Sequence, residues 1–340
     1  MAPVTQQPPP TLRRKLHLRR WLLLVALAAF GYGFWKQYDY RAAVKEAEAL
    51  GWDWDAENPF ETIKDDWKSA FRRDTWFDLE RTLVMKTDAD FAQNSRLLNR
   101  LGVRSLKIKS ANSLTDLAAL KGLSTVLSID FDKCAMLTNL NGIGESKNLR
   151  RIILKECPKL GNLDSLKDRP KLSGLQITGS EALSNLDGLK GLSKLRTLHI
   201  AYCRGLANVE GIKSLRKLES LTLKYCRGMT SLEPIVGHSR LQFLDLTGCS
   251  QLQNVDGIHK LTHLMKLTLD GCIALRNVDD LNGIPWLHTI RMEDCTALTS
   301  LAGLRNLPKL DKLYLRNCKR LPLESFNAIK VAFPKLRFPQ

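Results

Sequence analysis

All eight cysteines of the 340-residue chain fall on one ruler: positions 134, 157, 203, 226, 249, 272, 295 and 318, stepping by 23 residues. The one gap in the series holds Ser180, and one step before it begins stands Ala111. Three chemistries could use such a column. Zinc needs four ligands converging on a point, which a straight column of identical side chains does not offer without bending. Disulfides need Cβ atoms within about 4.5 Å, whereas parallel side chains on stacked units keep them near the ~4.8 Å strand spacing, so bridges would be strained. An even count of cysteines, in runs of two and six, leaves bridging in an oxidising compartment open. The third chemistry is a buried thiol ladder in which each weak S–H bonds a backbone carbonyl. Ala111 and Ser180 favour it, because a small side chain suffices at this position.

Other reactive constellations are sparse. The chain has no Gly-rich phosphate loop, CxxC pair, HExxH or nucleophile elbow. His259 and His263 have the i,i+4 spacing of a helical metal pair, but the leucines around them recur every third residue, which is not an α-helical period. Asp279-Asp280 and Glu293-Asp294 read as solvated charges in turns or at strand ends. The expectation is therefore a protein that binds rather than catalyses, with no cofactor, metal or small-molecule substrate. Its best candidate site is a repeated tetrapeptide, YCRG at 202–205 and 225–228. On neighbouring units this sets Tyr202 beside Tyr225, with Arg204 and Arg227 at the rim and His199, Lys224 and Phe243 nearby. Tyrosine with arginine is the composition of interface hot spots, and it also suits an anionic or sugar-like ligand. The competing reading is a cross-strand tyrosine pair that serves stability alone.

The elements that must position these residues are written into each unit. In "LQFLDLTGCSQLQNVDGIHKLTH", from Leu241, Leu244 and Leu246 alternate with Phe243, Asp245 and Thr247, the period of a short strand. After the cysteine, Leu252, Val255, Ile258, Leu261 and Leu264 recur every third residue, which predicts tight 3₁₀-like turns. One such coil cannot bury its apolar edge alone, so neighbours must stack with parallel strands. Alternation then turns one column outward: Lys107, Asp130, Ile153, Gln176, His199, Thr222, Asp245, Thr268, Arg291 and Tyr314. The pattern L-x-x-L-x-L-x-x-C-x-x-L, unbroken through ten units from about Val103, resembles the leucine-rich repeat family over some two thirds of the chain. "LDLTGCSQLQNV" is similar to repeats of plant resistance receptors, and Asp187-Gly188 and Asp256-Gly257 to the turns of internalin-type repeats, with Cys where the family usually has Asn. The resemblance implies a curved α/β solenoid with a concave parallel sheet and a 3₁₀-like convex side, usually used for binding.

Outside the repeats the composition changes. Residues 1–20 carry five Arg or Lys and no acid, and 21–35 form an uncharged apolar run flanked by Trp21 and Trp35. That reads as a basic cytoplasmic tail and one short transmembrane signal-anchor helix, with a cleaved signal peptide or an organelle-targeting segment as rivals. Residues 36–79 follow as a juxtamembrane helical segment or N-terminal cap, with Phe60, Ile63, Trp67, Ala70 and Phe71 at helical intervals. The repeats span 80–321, with Leu83 and Met85 at strand positions of a degenerate first coil, and 322–340 close the solenoid through a short helix bearing Phe326, Ile329 and Phe333. Of the net charge of +17, the excess sits on the repeats. A stripe of Lys190, Lys194, Lys213, Arg216, Lys217, Arg240 and Lys260 lies on the turns opposite the sheet. Positive charge on the inner side places the repeats extracytoplasmically, on the periplasmic face of a bacterial inner membrane. The expected partner is a protein or an anionic polymer such as a glycan, with the membrane held through 21–35 and nucleic acid disfavoured. The alternatives are a structural envelope protein attaching by diffuse charge and a cytoplasmic adaptor.

Overall fold

The computed structural model describes residues 41–43, 45–46, 49, 53–54, 82–85, 91–143, 146–167 and 169–338. The expected tail and membrane segment at 1–35, and the expected helix bearing Phe60 to Phe71, lie outside these residues. Among the described residues no helix is long and apolar enough to cross a membrane. The chain divides into two compact units, Met1–Trp52 and Asp53–Gln340, and the second contains the solenoid.

Its strands are β1 (Asp53–Trp54), β2 (Thr82–Met85), β3 (Ser105–Lys109), β4 (Ser128–Asp132), β5 (Arg151–Lys155) and β6 (Gly174–Thr178). They continue as β7 (Thr197–Ala201), β8 (Ser220–Lys224), β9 (Phe243–Asp245), β10 (Lys266–Thr268), β11 (Thr289–Arg291) and β12 (Lys312–Tyr314). They form one sheet in chain order. From β2 onward every pairing is parallel. The register sets like against like: Leu198 stands beside Leu221, Leu221 beside Leu244, and Leu244 beside Leu267. A slip by one residue would turn each strand's buried row to solvent, so the 23-residue spacing and the register enforce one another. The column expected from alternation is in register, with His199 between Gln176 and Thr222, and it is at least partly exposed except at Thr268, which is buried.

Past each strand the chain turns inward at the cysteine and returns along the convex side through short 3₁₀ segments, among them Asp187–Leu189, Glu210–Ser214 and Ile258–Lys260. Three residues per turn brings every third side chain to the same face, which is why Leu252, Val255, Ile258, Leu261 and Leu264 are all buried. A second 23-residue ruler governs these turns. Asn139, Asn162, Asn185, Asn208, Asn254 and Asn277 each accept, through the side-chain oxygen, the backbone N–H two residues on. Ser231 and Ser300 do the same with their hydroxyls. These Asx-type turns satisfy an amide that the tight coil leaves without a backbone partner. At Gly211 a Cβ would lie 1.8 Å from the carbonyl oxygen of Leu186, so only glycine lets that coil approach its predecessor.

Polar residues enter the core at one leucine position. Where other coils have Leu192, Leu215 and Leu261, the chain has Ser146, Arg169 and His238, all buried. His238 sits with Nδ1 2.7 Å from the Ile235 carbonyl oxygen and Nε2 2.9 Å from that of Ile212, a core histidine held by backbone. Both ends of the sheet are covered. β1 pairs antiparallel with β2 at the first edge. The coil between β2 and β3 carries a full α-helix, α1 (Phe91–Arg100), in place of 3₁₀ turns, and buries Leu97 and Leu98. At the far end, α2 (Leu323–Ala332) buries Ile329, and the following chain exchanges backbone hydrogen bonds with β12: Leu313 N–H to Arg337 O at 3.0 Å and Arg337 N–H to Asp311 O at 2.9 Å. These contacts occupy edge groups that would otherwise template pairing with another chain.

Candidate binding face

Seven of the eight cysteines are buried and all are free thiols. In the later coils each sulfur reaches back to the preceding strand. Cys249 donates to the carbonyl of Leu223 at 3.1 Å, Cys272 to Leu246 at 3.3 Å, Cys295 to Leu269 at 3.2 Å and Cys318 to Met292 at 2.9 Å. Burial pushes the Cys249 thiol up to about 12 and that of Cys318 to about 11, so both stay protonated donors at neutral pH. Among the described residues no cluster of three His, Cys, Asp or Glu is placed to hold a metal ion. His259 pairs with Asp280, its Nδ1 3.1 Å from Oδ2.

The residue before each cysteine position carries the unusual backbone. Ser110, Lys133, Glu156, Gly179, Tyr202, Tyr225, Gly248, Gly271, Asp294 and Asn317 all have φ between 52° and 73°. The first nine of these residues point their N–H at the next coil, as Tyr202 does to Lys224 O at 3.1 Å and Tyr225 to Thr247 O at 2.8 Å. Glycine, asparagine and aspartate fit this conformation, whereas tyrosine adopts it at a cost of about 1–2 kcal/mol. The fold thus holds two bulky aromatic residues in adjacent strained positions. Their rings are stacked, with centroids 4.7 Å apart and planes 16° from parallel, and they remain 52% and 41% exposed.

A groove of about 530 Å³ opens next to Tyr225, with Gly248 and Gly271 as its floor and Arg227, Asp270 and Asp294 among its walls. A Cβ on Gly248 would lie 2.3 Å from Tyr225 Cδ1, so the ring leans over that glycine. Nothing in the alternating pattern marks this groove. Its available signal was the appearance of glycine at 248 and 271 directly after tyrosine at 202 and 225.

The residues expected beside the tyrosines divide. Arg204 and Arg227 are exposed on the same rim. His199 lies half-buried on β7, and burial, then the charge of Lys224, lowers its pKa against the pull of Asp245. Lys224 is not free, being paired with Asp245 at 2.9 Å. Phe243, 44% exposed, opens β9 opposite Ser220, at the other end of the strand from Tyr225. Five residues of strand separate the two levels by roughly 16 Å, so Phe243 does not join the tyrosine cluster. The expected basic stripe is also partly neutralised. Lys190 pairs with Asp187 at 2.8 Å and Lys213 with Glu210 at 2.6 Å and Glu233 at 2.7 Å, while Arg216 keeps its charge and donates to the Gly237 carbonyl at 2.9 Å. Near β11 the face is a network: Arg291 binds Asp270 at 2.8 Å, contacts Glu293, and lies 4.4 Å over the Tyr314 ring.

No family model and no curated protein matches this sequence. Among solved structures the chain resembles an internalin of Listeria monocytogenes, with a TM-score of 0.56 at 17% identity over 75% of this chain and 78% of that one. Internalin C2 of the same species aligns with a TM-score of 0.48 at 21% identity, over 56% of this chain and 81% of that one. The parallel strand in each coil, the 3₁₀ return and the likeness to the first of these internalins together assign the chain the leucine-rich-repeat solenoid fold.

Proposed function

We propose that this solenoid is a binding scaffold that holds a protein partner on the tyrosine-bearing rim of its concave side, and that residues 21–35 anchor it in a membrane with the repeats on the extracytoplasmic side. The observation that supports the binding face is the stacked, exposed pair Tyr202 and Tyr225 at left-handed positions where the other coils carry glycine or a non-aromatic polar residue, Ser110, Lys133, Glu156, Asp294 or Asn317. The left-handed turn belongs to every coil, and what sets this pair apart is exposed aromatic area, which is enriched at protein interfaces. The anchoring half of the reading rests on the uncharged run between the basic tail and Lys36.

The test places a photo-crosslinking amino acid at Arg204 on the rim or at Lys194 on the convex side of the full chain in cells. A discrete protein adduct from position 204 and none from 194 is the expected result. Equal labelling from both positions, or none from 204, would overturn the rim as the binding face. A reporter active only outside the cytoplasm, fused after Gln340, tests the topology. Activity with retention in alkaline-washed membranes supports the anchor, and a silent reporter moves the protein to a cytoplasmic adaptor role.

A further inference from the structure

Stacked coils repeat every ~4.8 Å, and the 4.7 Å between the Tyr202 and Tyr225 rings is that repeat expressed as one ring per coil. At the same position the next two coils carry Gly248 and Gly271, so the aromatic ladder stops and two rungs have no side chain. The groove of about 530 Å³ occupies this interruption. Tyr225 leans over the Gly248 rung, whereas above Gly271 the space is open: a Cβ there would meet nothing closer than the Gly248 backbone at 3.7 Å. The charges around it are unequal in their engagement. Asp270 pairs with Arg291 at 2.8 Å, and Asp294 accepts a hydrogen bond from the neutral amide of Asn317 at 2.6 Å, which orients its carboxylate and leaves its charge in place. Arg227 has no ion-pair partner among the described residues, and it sits on a chain of net charge +17.

We propose that the groove seats an aromatic side chain from an acidic segment of a protein partner. The ring continues the ladder as the rung after Tyr225, over Gly271, and a carboxylate beside it pairs with Arg227. This rests on the reading of the rim as a protein-binding face and names its anchor. Aromatic stacking supplies a flat contact that an aliphatic side chain of similar size does not match, and a charge-assisted bond to guanidinium supplies the preference for acid. Thr247, Ser250 and Gln251 along the wall could equally hydrogen-bond a pyranose, which makes a sugar the rival occupant.

Saturation-transfer NMR on the full-length chain with three capped dipeptides and a sugar decides between them. Acetyl-Asp-Tyr-amide should bind, with acetyl-Asp-Leu-amide and acetyl-Asn-Tyr-amide each weaker by roughly three- to tenfold. Gly271→Asn should abolish binding by filling the free rung, because asparagine accepts the left-handed backbone as Asn317 does at φ 63°. Arg227→Gln, a surface change, should erase the Asp-over-Asn preference and leave the Tyr-over-Leu preference intact, which keeps the test decisive should Gly271→Asn misfold. Peptides that bind without regard to the ring, binding that survives Gly271→Asn in a folded protein, or methyl glucoside receiving saturation in place of the peptides would each overturn the proposal. If position 204 crosslinks a partner while none of the peptides binds, the groove inference fails and the scaffold reading stands. If the peptides bind and no adduct forms at 204, the reverse holds.

Discussion

Tyr225 carries two opposing energies that substitution can separate. Its left-handed backbone costs about 1–2 kcal/mol, and its stack on Tyr202 returns about 0.5–1.5 kcal/mol. Tyr225→Ala removes the ring and keeps the strain, so it should destabilise the fold by about 1 kcal/mol. Tyr225→Gly removes both and should fall about 1 kcal/mol above the alanine variant, close to the parent protein. Urea unfolding of the two variants gives the comparison, and an alanine variant as stable as the glycine variant would remove strain from the account. Gly248 belongs to the same unit, because φ of 73° and the overlying Tyr225 ring leave no room for a Cβ.

Within the coil, the cysteine ladder and the asparagine ladder answer the same problem five residues apart, at the start of the return. Each turns a corner too tight for regular backbone pairing and lends a side chain to the group left over. Thiols bonded inward to carbonyls and pushed up by burial should be unreactive in the folded protein. Iodoacetamide at pH 8 is therefore expected to modify Cys318 first, since it alone among the eight is not fully buried, and the other seven only after denaturation. Mass spectrometry of native and denatured samples checks this. Native labelling of Cys249 or Cys272 ahead of Cys318 would mean that the ladder opens to solvent.

For the whole solenoid, stability should fall with acid in two windows. His199 has a native pKa below the ordinary ~6.5 because of burial and Lys224. The unfolded chain therefore binds its proton first, and stability is lost as pH falls from there through the lowered native value. Asp280 is held below the usual carboxylate range by the N–H of Gly257 and by His259, so its contribution, present above the ordinary value, is lost at lower pH as its native pKa is crossed. Thermal melts between pH 7.5 and 3 should show both steps, and His199→Gln should flatten the upper one alone. Acidification also raises the positive charge on a chain already at +17, which adds repulsion in the same direction.

A repeat declares its architecture through periodicity, because each coil must bury the same positions to stack on the next. Strand positions, 3₁₀ return, outward column, inward cysteines and terminal helix were therefore all legible in residue types and spacing. The asparagine ruler was equally written there, in Asn139 through Asn277, but a polar residue in a turn carries no apolar signal. What periodicity could not decide was which outward residues meet. Phe243 and Tyr225 are close in number and alike in type, yet the strand carries them to opposite ends. Lys224 and Lys213 read as free charges until the neighbouring coil supplied Asp245 and Glu233, 21 and 20 residues on. The groove beside Tyr225 exists only because two glycines follow two tyrosines across stacked coils, at positions that the backbone bends left-handed. Position along a coil follows from the sequence by itself; contact between coils depends on backbone conformation and side-chain direction, which only the assembled solenoid determines.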